Sequence, residues 1–367
     1  MNTRIGIIGC GTISRAYIRS LSGFDGFEVV AVADIDALRA AAKAEEHGVG
    51  LVLTPDELVA HPDVDVVVNL TIPNAHAPIT AAALRAGKGV YSEKPLAVTA
   101  AEAKALVALA DERGLPLGCA PDTFLGVGLQ SSLQAITAGA IGRPFAAVAH
   151  VVGRGPERWH HDPAFFYRHG AGPLFDMGPY YVTSLVSIFG PVASVTAEAA
   201  RMIDERETVT GPLAGTRFPV EVDTHVTALL RFVSGATASL LASFDVAAST
   251  LPRFEVFGEA GTLAVPDPNT FGGPVKVRAL GDEAWREVEL VDGFSRDVRG
   301  LGVVEMMRAT RLGRVPRASG ALAAHVMEVL ESALRSAATG SRVAIASRPM
   351  APAPLEPGEL DDLAVAA

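Results

Sequence analysis

The chain has 367 residues, of which 49% are hydrophobic and 20% charged, and its 41 acidic and 31 basic residues give a formal net charge of −10. This length suits two domains that each bury their own core. The acidic balance argues against a phosphate backbone as a partner, so we expect no binding to nucleic acid or to an acidic membrane surface.

The cysteine content and the apolar runs give expectations about the compartment. Cys10 and Cys119 are the two cysteines of the chain, too few for a disulfide framework, which favours a reducing environment. The sequence starts in a strand pattern rather than with a basic and apolar leader, and no apolar run reaches the roughly 18 to 20 residues that span a bilayer. We therefore expect a cytoplasmic protein that does not enter a membrane.

Residues 4–34 predict the first βαβ unit of a dinucleotide-binding domain. An apolar run leads into the turn Gly9-Cys10-Gly11, a helical run follows, and a second apolar run ends at Asp34. Gly9 would allow a tight turn, and Gly11 would let the backbone approach a pyrophosphate at the N-terminus of the helix. Ser14 stands where this fingerprint prefers Gly or Ala. The predicted cofactor contacts in this unit are Gly9, Gly11, Thr12 and Ile13.

Asp34 ends the second predicted strand and bears on the choice of cofactor. Its carboxylate could accept hydrogen bonds from ribose hydroxyls and would repel the 2′-phosphate of NADP, which favours NAD. Arg39 is close in sequence and softens this argument, so NADP stays open. Alternatively, Asp34 caps a helix predicted over Ile35–Glu46.

Strands and helices go on alternating to Ala120, which predicts a right-handed, doubly wound parallel sheet, a Rossmann domain, over residues 1–120. The apolar strand Val64–Leu70 ends in a loop, Thr71–His76, at the edge where open α/β sheets bind ligands. The next helix is predicted from Ala77 to Ala86. Further cofactor contacts are predicted at Thr71, Pro73, Asn74 and His76.

Beyond Ala120 the pattern changes to strand-like runs joined by hairpin turns, which predicts an α+β domain with a large, open, mostly antiparallel sheet over residues 121–349. Two amphipathic helices, Leu301–Leu312 and Gly320–Thr339, are expected to pack across this domain. Residues 350–367 are Pro-rich and then acidic, which predicts a loose tail. Because an apolar sheet face must be covered, we expect a homodimer or homotetramer formed through the sheet.

Glu93-Lys94-Pro95 follows the fifth predicted strand on the ligand side of the sheet. The Lys-Pro bond, trans or cis, gives Lys94 an extended or turn geometry that directs its ammonium away from the sheet. A lysine beside a nicotinamide could stabilise negative charge on a substrate oxygen. Alternatively, Lys94 is a solvated loop lysine. Glu93 and Lys94 are also predicted to contact the cofactor.

Asp176 and Tyr180 are four residues apart in a glycine-rich segment, so they share one face if the segment is helical. Pro179 requires the helix to begin near it or to be distorted there. We predict that both side chains belong to the catalytic site and contact the substrate. The alternative is that Asp176 caps a helix and Tyr180 is a half-buried aromatic residue.

The loop from Arg154 to Gly170 is rich in aromatic residues and histidines. His160 and His161 are adjacent and should point in different directions, and no second cluster with metal-ligand spacing appears, so we expect no metal site. The loop is predicted to form a wall of the substrate pocket, or else simply to pack. The predicted substrate contacts in this loop are Trp159, His161 and Phe166.

Three motifs together carry a resemblance to a known family: Gly9-Cys10-Gly11 after the first strand, Glu93-Lys94-Pro95, and Asp176-x-Gly178-x-Tyr180. They resemble the glucose-fructose oxidoreductase, inositol dehydrogenase and rhizopine catabolism (Gfo/Idh/MocA) family, over nearly the whole chain. The resemblance implies a nicotinamide-dependent enzyme that oxidises or reduces sugars, cyclic polyols and related carbonyl compounds. It also implies that Lys94 matches the catalytic lysine and Asp176 the acidic residue of the second-domain motif.

Tyr180 departs from the commonest pattern of this family, which has His at that position, and resembles the branches that carry Tyr. Oxidising a carbinol carbon requires its hydroxyl proton to leave to a base. A free tyrosine has a pKa of about 10, which a neighbouring ammonium would lower. We hypothesise that Tyr180 exchanges the proton, Lys94 polarises the oxygen and Asp176 orients either Lys94 or a substrate hydroxyl, with Tyr181 in reserve.

Two alternative functions stay open. Some proteins that resemble this family are NAD-dependent glycosidases, which oxidise a sugar transiently and return the hydride. Others are non-catalytic regulators that bind a dinucleotide as a signal. The presence of Lys94, Asp176 and Tyr180 favours an enzyme that acts on a small molecule over a regulator.

Overall fold

The computed structural model describes residues 2–356, 358 and 359, which fall into two compact units. The first unit contains the described residues up to Val127, the segment 291–327 and the described residues from Leu355 onward, and the second contains residues 128–290 and 328–354. These limits differ from the predicted domains 1–120, 121–349 and 350–367 mainly because the segment 291–327 belongs to the first unit. The domain assignment itself stays a prediction.

The helices follow one another along both units. They are α1 (Ser14–Leu21), α2 (Ala37–His47), α3 (Pro55–Ala60), α4 (Pro73–Arg85), α5 (Ala100–Arg113), α6 (Val127–Thr137), α7 (Pro173–Phe189), α8 (Leu301–Arg311) and α9 (Gly320–Thr339). Within the described residues, none of these helices is both long enough and apolar enough to cross a bilayer.

The sheet of the first unit is parallel throughout. Its strands are β1 (Thr3–Ile8), β2 (Phe27–Ala33), β3 (Leu51–Leu53), β4 (Val66–Asn69), β5 (Gly89–Ser92) and β6 (Leu117–Cys119). They are ordered β3-β2-β1-β4-β5-β6, so the direction of winding reverses between β1 and β4. Open α/β sheets of this order bind ligands in the crevice at the carboxyl ends of the two strands between which the order reverses. The predicted Rossmann fold is therefore confirmed.

Two helix starts in the first unit differ from the predictions. Helix α4 begins at Pro73 instead of Ala77, because proline fits the first helical position, where no N–H partner is needed. Helix α2 is capped by Asp36, whose side chain accepts the backbone N–H groups of Leu38 and Arg39. The alternative in which Asp34 caps this helix is therefore wrong.

Helix α8 belongs to the first unit, and the prediction that it packs across the second domain is wrong. Oδ2 of Asp122 accepts the backbone N–H of Gly300 at 2.8 Å and that of Gly302 at 3.0 Å. These two amides open α8, so the buried carboxylate of Asp122 holds the start of the helix in the first unit.

The second unit contains a nine-stranded sheet and a two-stranded hairpin. The strands are β7 (Pro144–Val152), β8 (Val192–Ala200), β9 (Glu205–Glu207), β10 (Arg217–Pro219), β11 (His225–Phe232), β12 (Thr237–Ser243), β13 (Phe254–Gly258), β14 (Gly261–Ala264), β15 (Lys276–Ala279), β16 (Arg286–Glu287) and β17 (Val343–Ala344). The large sheet has the order β16-β15-β14-β13-β7-β12-β11-β8-β17, and β9 pairs with β10. In the described part of the chain β7 and β12 run parallel and the other neighbours antiparallel, which confirms the predicted mostly antiparallel sheet.

The two faces of the nine-stranded sheet differ in their side chains. Along β11, Val226, Ala228 and Leu230 are buried on the face that packs against α7. The residues between them point the other way, and Leu229 is 61% exposed there. Alternation with period two thus gives one core face and one open face.

Helix α7 runs from Pro173 to Phe189 with Pro179 inside it, so the helix begins about two turns before that proline. Gly178 explains part of the Asp-x-Gly motif, because a Cβ there would lie 2.8 Å from Cδ2 of Leu330 on α9. A glycine at this position lets the two helices approach closely.

Candidate active site

The two glycines of the first turn are glycines for different reasons. Gly9 has φ +101°, and a Cβ there would lie 2.6 Å from the carbonyl carbon and oxygen of Leu70, so the protein itself requires a glycine. A Cβ on Gly11 would meet no atom within 4 Å, and Gly11 is exposed with an ordinary φ. The space next to Gly11 is therefore open to an approaching pyrophosphate.

Helix α1 presents its N-terminus beside this open space. Ile13 precedes the helix and offers no capping oxygen, and within the described residues no acidic side chain lies in its first turn. The free N–H groups of an uncapped helix start favour the binding of an anion there. Ser14, the departure from the fingerprint, is fully buried and donates its hydroxyl to the carbonyl of Gly11 at 2.7 Å, which ties the turn to the helix.

Asp34 is tied to the glycine turn. Its Oδ2 accepts the backbone N–H of Cys10 at 2.8 Å, and its Oδ1 accepts that of Asp36 at 2.9 Å. Arg39 lies 3.8 Å from Oδ1, as its sequence position indicated. Burial, with the charge of Asp34, raises the pKa of Cys10 to about 11, so this thiol stays protonated at neutral pH. The carboxylate thus lies at the end of β2, beside the turn.

The end of β4 is organised by a buried amide that the sequence reasoning missed. Nδ2 of Asn69 donates to the carbonyl of His76 at 3.0 Å, and its Oδ1 accepts the hydroxyl of Thr71 at 2.7 Å. The only sequence signal was a polar residue at the end of an otherwise apolar strand. Pro73 and Asn74 lie in the first turn of α4, half-buried and exposed respectively.

The ring of His76 lies between two loops at the ligand edge of the sheet. Nδ1 is 2.6 Å from the carbonyl oxygen of Pro95, Nε2 is 3.0 Å from that of Thr71, and the residue is 1% exposed. Burial lowers the pKa of His76, although both carbonyls oppose this. The predicted cofactor contact of His76 stays a prediction, since its ring faces these carbonyls instead of open space.

Glu93 lies in the first unit between helix α1 and Lys94. The hydroxyl of Tyr17 donates to Oε1 of Glu93 at 2.8 Å, and the backbone N–H of Lys94 donates to Oε2 at 2.9 Å. Burial, followed by the charge of Glu93, raises the pKa of Tyr17, so the phenol remains a donor. The Lys94–Pro95 peptide is cis. Glu93 therefore holds the backbone of Lys94, and Tyr17 is a second residue that sequence reasoning missed.

Asp176 and Tyr180 lie one turn apart near the start of α7 in the second unit. The N-cap is Gly172, whose carbonyl accepts the N–H of Asp176 at 3.0 Å, so the alternative in which Asp176 caps the helix is wrong. Asp176 is half-buried and Tyr180 is 7% exposed. Both side chains are thus placed on one helical face, as predicted for a helical segment.

Tyr181, the reserve candidate for proton exchange, has a structural role. It is fully buried and its hydroxyl donates to Oδ1 of Asp267 at 3.3 Å. Burial and the charge of Asp267 raise its pKa. A phenol held in this way is a poor proton acceptor, which leaves Tyr180 as the candidate.

The aromatic loop, residues 154–170, carries the predicted substrate contacts. Trp159 is 66% exposed and meets the half-buried ring of Phe166 edge-on at 5.9 Å. The expectation that His160 and His161 point apart is wrong, because their rings stack at 4.7 Å with an interplanar angle of 17°. Burial and the charge of His161 lower the pKa of His160, although Asp162 and, less strongly, Asp176 oppose this.

Two family models match the chain in succession. Residues 3–120 match an "Oxidoreductase family, NAD-binding Rossmann fold" model, and residues 130–264 match the "GFO/IDH/MocA C-terminal domain" model. The open space at Gly11 and the uncapped start of α1 agree with the dinucleotide that the first model implies.

Two curated relatives have sugar or polyol names. Inositol 2-dehydrogenase 3 of Saccharopolyspora erythraea is 30% identical over 305 residues, which cover 82% of this chain and 84% of that protein. The 1,5-anhydro-D-fructose reductase of Ensifer adhaerens is 42% identical over 151 residues, 41% of this chain and 45% of that protein. The second match thus spans less than half of the relative.

A solved structure gives independent support for the fold. The structure of levoglucosan dehydrogenase in complex with NADH superposes on this chain with a TM-score of 0.82 at 23% identity. The match covers 95% of this chain and 100% of levoglucosan dehydrogenase. At this identity the likeness shows the fold alone. The two family models and the match to inositol 2-dehydrogenase 3 show that the chain belongs to the Gfo/Idh/MocA family of NAD-binding oxidoreductases.

Proposed function

We propose that this NAD-dependent enzyme transfers a hydride to or from a sugar, a cyclic polyol or an anhydro-sugar. The observation that carries the proposal is the helical face of α7, on which Asp176 and Tyr180 lie one turn apart. A carboxylate, a phenol and exposed aromatic rings suit a ligand with both hydroxyl groups and an apolar ring face. The names of the relatives support the same substrate class.

The proposed mechanism gives each residue one task. When bound, NAD supplies the hydride acceptor, or NADH the donor. Tyr180 accepts the proton of the reacting hydroxyl and returns it in the reverse direction. The ammonium of Lys94 stabilises the oxygen as negative charge develops on it, and Asp176 orients Lys94 or a substrate hydroxyl. Glu93, by holding the N–H of Lys94, keeps that residue in position.

The test is the absorbance of reduced nicotinamide with a panel of aldoses, inositols and anhydro-sugars. Wild-type turnover should fall by about two orders of magnitude or more in Lys94→Ala and Tyr180→Phe, because each removes one transition-state interaction. Lys104→Ala, at an exposed position on α5, is the matched control and should keep full activity.

Three outcomes would contradict the proposal. Silence across the whole panel with tight NADH binding favours a non-catalytic regulator. Release of an aglycone without net NADH favours a glycosidase. Unchanged turnover in Tyr180→Phe removes the proposed proton acceptor.

We further propose that two or more copies associate through the open face of the nine-stranded sheet. Leu229 is 61% exposed near the middle of strand β11 on that face, and its cross-strand neighbours are Thr196 and Ser239. Burying the exposed side chain of this leucine against another surface would be favourable. Light scattering should report a dimer or tetramer that Leu229→Arg dissociates and that Leu312→Arg, in an exposed position of the first unit, leaves intact. A monomeric wild-type protein would contradict this.

A further inference from the structure

A buried guanidinium in the second unit joins three segments of the chain. Arg206 lies on β9, and its side chain is 4% exposed. Nη1 donates to Oε1 of Glu157 at 2.5 Å and to the carbonyl of Arg154 at 3.2 Å, both in the aromatic loop. Nη2 donates to Asp245 and, at 3.2 Å, to the carbonyl of Phe244, both just after β12. Arg206 therefore connects the aromatic loop to the end of a sheet strand.

Within the aromatic loop, Tyr167 binds the same carboxylate as Arg206. Its hydroxyl donates to Oε2 of Glu157, so the two oxygens of that carboxylate bind Tyr167 and Arg206. The guanidinium carbon of Arg206 also lies 5.3 Å from the centre of the Tyr167 ring. Burial, together with the hydrogen bond to Glu157, raises the pKa of Tyr167, which keeps the hydroxyl a donor.

Asp245, the partner of Arg206 after β12, is itself held by hydrogen bonds. Oδ2 of Asp245 accepts the hydroxyl of Thr224 at 2.7 Å, and the backbone N–H of Asp245 donates to the hydroxyl of Ser243 at 3.0 Å. The hairpin that carries Arg206 also covers the loop, since a Cβ on Gly211 would lie 2.8 Å from Cβ of His161.

We propose that Arg206 is a positioning residue for the substrate: it closes the aromatic loop at both ends, at Arg154–Glu157 and at Tyr167, and thereby fixes Trp159 and Phe166 between them. A planar guanidinium suits this task because it binds two carboxylates and two carbonyls at once, which an ammonium cannot do in this geometry. The inference rests on the proposed function in one respect, namely that the aromatic loop contacts the substrate.

Closure of the loop can be measured without activity. The loop carries three exposed arginines, Arg154, Arg158 and Arg168, each a trypsin site. Trypsin cuts a native loop at a rate that follows how often the loop opens. Mass spectrometry of the fragments therefore reports whether Arg206 holds the loop closed.

The experiment compares Arg206→Lys and Tyr167→Phe with wild type. Arg217→Lys, an exposed arginine on the neighbouring strand β10, is the matched control. Cleavage within residues 154–168 should become about tenfold faster in both test variants. KM for the sugar or polyol should rise about tenfold, whereas Kd for NADH should stay within about twofold. Tyr167→Phe keeps the ring and its packing, so it answers the question even if Arg206→Lys does not fold.

Two results overturn the proposal. If trypsin cuts the loop of the folded variants no faster than that of wild type, Arg206 does not close it. If cleavage is faster while KM is unchanged, the loop is released without effect on the substrate, and Arg206 supports only the fold. A wild-type enzyme inactive on every sugar and polyol is a failure of the proposed function, and it is recognisable because the trypsin comparison still decides whether Arg206 closes the loop.

Discussion

The hydroxyl of Tyr17 donates a hydrogen bond of 2.8 Å to Glu93, whose other oxygen accepts the backbone N–H of Lys94. Tyr17 lies on α1, the helix that follows the glycine turn, and it is fully buried, so water cannot replace its hydroxyl. One carboxylate thus joins the helix at the proposed pyrophosphate site to the proposed catalytic lysine. The position of Lys94 should therefore depend on Tyr17.

The first prediction concerns Tyr17→Phe. The substitution keeps the ring but leaves one buried oxygen of Glu93 without its donor, which costs about 1–3 kcal/mol. We expect kcat to fall about tenfold or more and the affinity for NADH to change little, as steady-state kinetics and a fluorescence titration would show.

Tyr91→Phe is the control for this prediction. Tyr91 is also fully buried in the first unit, but its hydroxyl has no hydrogen-bond partner within the described chain. Its removal should therefore spare both kcat and stability. Equal losses of kcat in the two variants would mean that the Tyr17–Glu93 bond has no special effect on Lys94.

The second prediction separates the two glycines of the turn. Gly11→Ala should leave the free energy of unfolding almost unchanged, because its Cβ meets no atom within 4 Å, yet it should weaken NADH binding about tenfold. Gly9→Ala should cost about 2 kcal/mol or more of stability, because its φ is positive and its Cβ would strike the backbone of Leu70. Urea unfolding and NADH titration measure both. Wild-type affinity in a folded Gly11→Ala protein would rule out a pyrophosphate at this turn.

The third prediction concerns the choice between NAD and NADP. Asp34→Asn keeps an acceptor beside the turn but removes the charge that repels a 2′-phosphate, so the preference for NAD over NADP should fall about tenfold in kcat/KM. Asp36→Asn removes an equal charge two residues away and keeps a good helix cap, so it should preserve the preference. If both variants shift the preference for NAD over NADP equally, the net charge around Arg39 sets this preference, and contacts between Asp34 and the cofactor do not.

Much of the first unit could be predicted because its signals are local. The run from the glycine turn to Asp34 contains a strand, a turn, a helix and a second strand in an order that few other folds share. The ligand edge followed from the positions of Thr71 and Lys94 just after strand ends. These predictions needed no knowledge of which distant residues meet.

Two of the residues that sequence reasoning missed, Tyr17 and Asp122, act through distant contacts. Tyr17 and Glu93 are 76 residues apart, and Asp122 and Gly300 are 178 apart. Nothing in the local pattern of either partner identifies the other. The packing of α8 in the first unit could not be predicted for the same reason, since the buried acceptor that holds the start of that helix belongs to a remote part of the chain.

The last prediction concerns the pH dependence of stability that Asp122 should produce. Burial raises its pKa to about 6, although the N–H groups of Gly302 and Gly300 oppose this. An unfolded aspartate has a pKa of about 3.9, so the folded protein holds this proton more tightly. The resulting stabilisation is complete below the unfolded value and is lost as the pH rises through about 6.

Asp122→Asn keeps an oxygen for the two amides but does not titrate. The free energy of unfolding of wild type minus that of the variant should therefore fall by roughly 2 kcal/mol between about pH 4 and about pH 8. Glu359 supplies a control whose pKa is shifted in the opposite direction. Burial alone would raise the pKa of Glu359, but its hydrogen bonds and its charge interaction with Arg317 outweigh burial and lower the pKa to about 2. The stabilisation by Glu359 is present above the pKa that this residue has in the unfolded chain and is lost as the pH falls below it. The free energy of unfolding of wild type minus that of Glu359→Gln should therefore rise, not fall, as the pH is raised from about 4. A flat difference for Asp122→Asn would show that its carboxylate is ionised throughout this range.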